Sequence, residues 1–258
     1  MDIRLDGHVA FVTGASLGIG RAIATRFAAS GASVAIVARR ADVLETARAA
    51  IAAETAGTVF AVPADVADAA DCQRAFAAAT AALGPVDILV NNAGTSRRRP
   101  FEEITDAVWQ ADLDLKLFGA IRLARLAIPA MREKRWGRIL NILNIGAKAP
   151  AAGAAPTAVS RAAGMALTKV LAGELAPDNI LVNALLVGRI RSDQWEKRAA
   201  ADGKDLEAFY AAMGKGIPLG RVGRAEEFAA MACFLASDAG GYVTGAAINI
   251  DGGASPVV

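Results

Sequence analysis

The chain is poor in the side chains that most often carry polar chemistry. Among 258 residues there is one histidine, His8, with two cysteines, Cys72 and Cys233, and two tyrosines, Tyr210 and Tyr242. A single histidine leaves little room for a His-ligated metal centre or a Ser-His-Asp triad, so no metal is expected. Two distant cysteines without histidine neighbours make neither a zinc framework nor a disulfide scaffold. Charge of one sign is also lacking: 28 Lys and Arg against 26 Asp and Glu leave a net +2. That balance argues against nucleic-acid and membrane-surface partners. The longest apolar run, residues 75–83, includes Thr80 and stops at Gly84-Pro85, far short of a membrane span. The opening residues show no basic segment followed by an apolar run and a small-residue cleavage site, so a cytoplasmic protein is expected.

What is abundant is apolar surface, 54% of residues, enough to bury a large core. Short β-branched runs recur at residues 8–13, 33–37, 58–62, 86–90, 138–143, 180–186 and 246–250. Several are apolar without alternation, as strands covered on both faces of a parallel sheet require. Between them lie amphipathic stretches, such as Ile19, Ile23 and Phe27, or Phe228, Met231, Ala232 and Leu235. Asp68 can cap one helix, while Gly84-Pro85 and Gly240-Gly241 stop others. The expected fold is α/β: one doubly wound (Rossmann) parallel sheet of about seven strands with helices on both faces, forming one domain over residues 1–258. Residues 189–222 are longer and more polar than a minimal crossover and read as a lid-like helical excursion, or more plainly as a solvated insertion.

The first strand runs into Gly14-Ala15-Ser16-Leu17-Gly18-Ile19-Gly20 and then a helix. Glycines at 14, 18 and 20 allow a tight turn and a close approach of pyrophosphate to backbone. The new helix adds free N–H groups and the positive end of its dipole. The second strand ends in Ala38 followed by Arg39 and Arg40, with no carboxylate to receive a ribose 2′-hydroxyl. A guanidinium pair suits a 2′-phosphate instead, so NADP is expected over NAD. The plainer alternative is that the two arginines begin a solvated helix.

With these residues in view, the chain resembles the classical short-chain dehydrogenase/reductase family over nearly its whole length. The resemblance is carried by residues 13–20, by Asp65-Val66, and by Asn91-Asn92-Ala93-Gly94. Val182-Asn183-Ala184 with Gly188, Tyr242-Val243-Thr244-Gly245 and Asp251-Gly252-Gly253 complete it. It implies that Asp65 and Val66 meet the adenine, that Asn91, Ala93 and Gly94 line the adenosine side, and that Gly188, Ile190 and Ser192 flank the nicotinamide. Val187 stands where a proline usually precedes that glycine. The resemblance also implies a homotetramer or homodimer and a small-molecule substrate.

The catalytic set departs from the family pattern of Asn, Ser, Tyr and Lys. By surroundings, Asp114 takes the Asn position, Asn144 the Ser position, Thr157 the Tyr position and Arg161 the Lys position; neither tyrosine of the chain falls there. Thr157 can orient an oxygen, but its hydroxyl is a far weaker acid than a phenol with a lowered pKa. Arg161 can hold ribose hydroxyls, and Asn144 can donate to a carbonyl oxygen. Asp114 and Lys148 are candidate proton donors, each with a paired surface charge as the alternative. Two functions follow as expectations: an NADP-dependent oxidoreductase moving hydride between nicotinamide and a carbonyl or alcohol by a non-standard proton path, or a nucleotide-binding relative without catalysis. Arg97, Arg98 and Arg99 either attract an anionic substrate or form a solvated loop. Trp195, Phe209, Tyr210 and Met213 line a pocket or pack the excursion. His8 is expected to be structural. The arginine pair makes a measurable claim: NADPH binds more tightly than NADH in a fluorescence titration, and equal affinity for the two would refute it.

Overall fold

The computed structural model describes residues 3–96 and 98–258. Its core is a seven-stranded parallel sheet in the order β3-β2-β1-β4-β5-β6-β7. The strands are β1 (Val9–Thr13), β2 (Ser33–Ala38), β3 (Val59–Pro63), β4 (Ile88–Asn91), β5 (Gly137–Asn144), β6 (Ile180–Val187) and β7 (Ala247–Ile250). Each lies within about two residues of an apolar run, because a run without alternation can be satisfied only by cover on both sides.

Helices supply that cover. Helices α1 (Gly18–Ala29), α2 (Ala41–Thr55) and α9 (Ala225–Ala236) pack on one face, against Ala10 and Val12 of β1. Helices α3 (Ala69–Leu83), α5 (Gly119–Lys134) and α6 (Thr157–Leu175) pack on the other, against Val9 and Phe11. Successive β1 side chains thus enter opposite cores, as strand geometry dictates. The Asp68 side chain caps α3 by accepting from the Asp71 N–H at 2.8 Å. The pair Gly240-Gly241 does not end α9, which stops at Ala236 and is followed by a 3-10 turn over Asp238–Gly240. Ser237 takes over there: its hydroxyl donates to the Phe234 carbonyl and accepts from the Ala239 N–H.

Helix α4 (Asp106–Leu113) continues into α5 through one widened π-turn, Asp114–Phe118. The segment at 189–222 carries α7 (Asp193–Ala201) and α8 (Leu206–Gly214). Its Trp195, Phe209 and Met213 pack around buried Tyr210, Ile217 and Val222. Those aromatics form the excursion's own small core. Among the described residues no helix is long and apolar enough to cross a membrane.

The strand order reverses between β1 and β4, so the crevice beyond their carboxyl ends is where an open α/β sheet receives a ligand. The opposite end of the sheet is closed by charge. The Asp87 carboxylate, 1% exposed, accepts from the Val9 N–H at 2.9 Å and from Lys134 Nζ at 2.6 Å. His8 Nδ1 lies 3.8 Å from Asp87, and the His8 ring stacks on Trp136 at 3.9 Å. Burial alone would raise the Asp87 pKa, but His8 and these hydrogen bonds outweigh it and hold the carboxyl below its ordinary value. Stability from this group is therefore complete above the unfolded carboxyl pKa and is lost as pH falls through the lower folded value. Asp87→Asn should cost about 1–3 kcal/mol at pH 7. In urea denaturation series, its deficit relative to wild type should shrink as pH drops below about 4.

Candidate active site

The glycine turn is strapped in place from two sides. The Gly14 and Ala15 N–H groups donate to the Val37 carbonyl at 2.7 and 3.3 Å. Asn92 Nδ2 donates to the Thr13 and Gly14 carbonyls at 2.9 and 3.2 Å. Thr13 Oγ1 donates to the Val90 carbonyl at 3.1 Å and accepts from the Asn92 and Ala93 N–H groups, each at 3.0 Å. Gly14 has φ +66° and Gly18 φ +55°. Gly20 is required for a different reason: a Cβ there would lie 2.3 Å from the Gly14 carbonyl oxygen. Leu17, at the N-cap of α1, makes no side-chain cap, and the first turn of α1 carries no acidic residue. Its leading N–H groups are thus left to an anion, and Ser16 and Ile19 frame them.

Around this turn the structure gathers the other expected cofactor residues. Arg39, 71% exposed, has Nη1 3.9 Å from Asp65 Oδ2, and Arg40 opens α2. Asp65 Oδ1 accepts from the Ala67 N–H at 3.0 Å, while Val66 is buried. The Val66 carbonyl accepts from the thiol of Cys72, which burial pushes up to about 11. Asn91 Nδ2 donates to Asn141 Oδ1 at 2.9 Å, and Asn141 Nδ2 donates to Thr168 Oγ1 at 2.9 Å, linking β4 and β5 to α6. The Gly188 N–H donates to the Ile250 carbonyl at 3.0 Å; a Cβ on Gly188 would strike Asp251. Ile190 is buried and bridges to Gly223. Ser192 comes down over the turn, its Cβ 3.8 Å from where a Cβ on Gly18 would be.

The four expected catalytic positions do not all converge. Asn144 ends β5, Thr157 opens α6 and Arg161 follows one turn later. Arg161 Nη1 donates to the Ile142 carbonyl at 2.8 Å, and its Nη2 lies 2.4 Å from where a Cβ on Gly94 would be. A side chain at 94 would displace that guanidinium from its place. Burial lowers the Arg161 pKa to about 10, against the opposing pull of Asp112, so Arg161 stays charged at neutral pH. Among the described residues, Asn91 Oδ1, Asn144 Oδ1 and Arg161 Nε are buried with no hydrogen-bond partner. Two of these atoms lie at the ends of the neighbouring strands β4 and β5 and the third on α6, which fits a site that a polar ligand completes.

Asp114 does not reach Thr157. It accepts from Gln110 Nε2 at 3.0 Å and from Arg122 Nη2 at 3.1 Å, on the outer face of its helix. The side chain that reaches Thr157 is Lys116, whose Nζ donates to Thr157 Oγ1 at 2.9 Å. Lys116 Nζ also donates to Asp112 Oδ1, and Ser160 Oγ donates to Asp112 Oδ2 at 2.7 Å. The Lys116 and Asp112 side chains are both 0% exposed. Helical spacing explains the difference: residues 112 and 116 share the face turned to α6, while 110 and 114 share another. The π-turn begins at Asp114, and such widened turns are frequent at functional sites. Lys148 does not join the cluster either, for its Nζ donates to the Ala247 carbonyl at 2.6 Å.

Arg98 bridges to Pro156 in antiparallel fashion, and the Arg99 N–H donates to the Ala155 carbonyl at 3.3 Å. The arginine loop therefore borders the entry to Thr157; Arg97 lies outside the described residues.

This geometry has counterparts in known proteins. The family profile described as enoyl-(acyl carrier protein) reductase matches residues 14–255. The chain belongs to the short-chain dehydrogenase/reductase family. It is 33% identical over 253 residues to 3-oxoacyl-(acyl-carrier-protein) reductase FabG of Aquifex aeolicus, covering 98% of this chain and 99% of that one. L-sorbose reductase of Gluconobacter frateurii, solved with NADPH and L-sorbose, superposes with a TM-score of 0.95 at 34% identity, over 100% of both chains. A short-chain oxidoreductase of Pseudomonas aeruginosa PAO1, solved with NADPH and described as containing an atypical catalytic center, gives 0.92 at 36% identity, over 99% of each. These named relatives are reductases and oxidoreductases, and this chain is an oxidoreductase of the same family.

Within this short-chain dehydrogenase/reductase frame, the residues missed from sequence are Lys116, Asp112 and Ser160, with Asn141 and Thr168 as supports. An i, i+4 Asp-Lys pair ahead of a glycine was the available signal for the first two, but such pairs usually face solvent. Removing one partner of a buried ion pair leaves an uncompensated charge. Lys116→Met should therefore cost about 3–5 kcal/mol in urea denaturation at pH 7. Combining it with Asp112→Asn should recover most of that loss.

Proposed function

We propose that this chain is an NADP-dependent oxidoreductase that moves hydride between nicotinamide and a carbonyl or alcohol, with a catalytic set unlike its family's usual one. The observation that carries this reading is the convergence at the β1/β4 switch point. There the uncapped N-terminus of α1, Arg39 and Arg40 lie on one side, and Asn144, Thr157 and Arg161 on the other. The NADPH in the two solved relatives supports the choice of cofactor.

The residues present fit the group. The glycine turn, including Gly14, Ser16, Leu17, Gly18, Ile19 and Gly20, receives the pyrophosphate on backbone N–H groups. Arg39 and Arg40 take the 2′-phosphate, a pairing that a guanidinium makes with two parallel hydrogen bonds. Asp65 and Val66 bound the adenine; Asn91, Ala93 and Gly94 the adenosine; Gly188, Ile190 and Ser192 the nicotinamide. Arg161 anchors the nicotinamide ribose, giving its orphaned Nε a partner. When bound, the nicotinamide supplies the hydride chemistry. The protein's share is to orient the substrate oxygen between Asn144 and Thr157 and to exclude water, with the 189–222 segment as the lid. Assembly as a homodimer or homotetramer belongs to the same proposal, and exposed Phe118, Val159 and Val170 are apolar surface available for it.

The alternative of a nucleotide-binding protein without catalysis has no observation in its favour. A panel of ketoses, simple ketones and β-ketoacyl thioesters separates the two. NADPH oxidation by wild type with at least one member is expected. Asn144→Ala should slow it by roughly 10²–10³-fold, as loss of an oxyanion donor does, while leaving NADPH affinity unchanged. Tight NADPH binding with no turnover of any carbonyl would overturn the catalytic reading and favour the binding protein.

A further inference from the structure

Four polar side chains are buried together at the start of α6: Asp112 and Lys116 from the α4–π-turn helix, and Thr157 and Ser160 from α6. A buried ion pair gives the fold little, because desolvating two charges cancels most of their attraction. Its geometry here is directional. Asp112 receives Lys116 on one oxygen and Ser160 on the other, so its carboxylate is satisfied at both ends. The Lys116 ammonium is thereby fixed with a further N–H aimed at Thr157 Oγ1 at 2.9 Å. Ser160 is itself tied back, its hydroxyl lying 3.1 Å from the Thr157 carbonyl. A hydroxyl that accepts from a cation is polarised toward giving up its own proton, which is what Thr157 lacks when considered alone.

We propose that Lys116 supplies the proton of the reaction through Thr157, as a positioning residue that Asp112 and Ser160 hold in place. This rests on the oxidoreductase reading above. In the reductive direction the carbonyl carbon accepts a hydride from the reduced nicotinamide and the C=O π bond breaks. The substrate oxygen forms its O–H bond with the Thr157 hydroxyl proton. Thr157 Oγ takes a proton from Lys116 Nζ in the same step and ends as a hydroxyl. Lys116 is left as a neutral amine and regains a proton from water after the alcohol departs. Asp112 stays ionised throughout. Oxidation of an alcohol runs the same relay backwards.

Among the described residues, the charges facing this relay are Asp112, from the same helix, and Arg161 on α6, which interacts with Asp112. Asp114 is turned to Arg122, and Lys148 to the Ala247 carbonyl. In this relay only the ammonium form of Lys116 can donate, so the reduction kcat should fall with rising pH.

The decisive experiment compares wild type with Thr157→Val, Thr157→Ser and the neutral pair Asp112→Asn with Lys116→Met. NADPH affinity is read by fluorescence, kcat and KM across pH, and the Lys116 side-chain resonance by ¹⁵N-lysine NMR of the protein alone. Thr157→Val and the neutral pair should lower kcat by about 10²–10⁴-fold, with KM and NADPH affinity within a few fold and the pH dependence gone. Thr157→Ser, which keeps the hydroxyl and loses a methyl group, should retain activity and the pH profile. The Lys116 resonance should move in Thr157→Val. If Val serves better than Ser at 157, or if the neutral pair keeps kcat and its pH profile, the relay is wrong while the oxidoreductase reading stands. If wild type binds no NADPH and reduces no carbonyl, both fall. If the neutral pair does not fold, Thr157→Val against Thr157→Ser decides, since both keep the Lys116–Asp112 pair.

Discussion

The Thr13 and Asn92 side chains join the ends of β1 and β4, and the rest of the site depends on that junction. Two strands adjacent in the sheet but about 80 residues apart in sequence would otherwise end in independent loops. Because Thr13 Oγ1 serves the β4 carbonyl and two N–H groups beyond it, and Asn92 serves two carbonyls of the glycine turn, the turn is tied to both strands without help from a ligand. Pre-organised backbone donors bind an anion without first losing loop entropy. The same junction places Gly94 against Arg161, so the phosphate end and the reacting end of the crevice share a frame.

The second constraint is electrostatic. Arg161, Lys116 and Asp112 bring two positive charges and one negative into a region largely closed to water. Such a set contributes little to folding and weighs on it whenever one member is lost. Perturbed or buried titratable groups gather where chemistry is done more often than where it is not. A phenol in the usual family arrangement combines acid and orienting group in one side chain. In the proposed relay the two tasks are divided between an orienting hydroxyl on α6 and a cation on the facing helix.

The sheet was legible because its strands announce themselves: an apolar run with no alternation has few other places to go. The glycine turn was legible for the same reason, since three glycines between a strand and a helix satisfy one steric demand. The polar interior was not. Asn141, Thr168 and Ser160 have partners 27 to 50 residues away, and composition gives no hint of which hydroxyl meets which amide. Asp114 was misplaced because counting along a motif does not show which way a helical residue points. Two residues are about 200° of helix, which separates a surface pair with Arg122 from a buried contact with Thr157. The lid aromatics illustrate a related limit. Trp195, Phe209, Tyr210 and Met213 carry the same pattern whether they face a ligand or one another, and only the tertiary packing shows that they surround Ile217 and Val222.

Helix α1 lies against α9, with Ile23, Ala24 and Phe27 sharing a core with Phe228, Ala229, Ala232 and Cys233, and Ser30 touching Cys233 Sγ at 3.3 Å. The ribosome delivers α1 about 200 residues ahead of α9, the helix that covers its apolar face. The nascent chain therefore carries that apolar face uncovered while the intervening strands and helices are made. In biosynthetic terms a helix made early has its packing completed late.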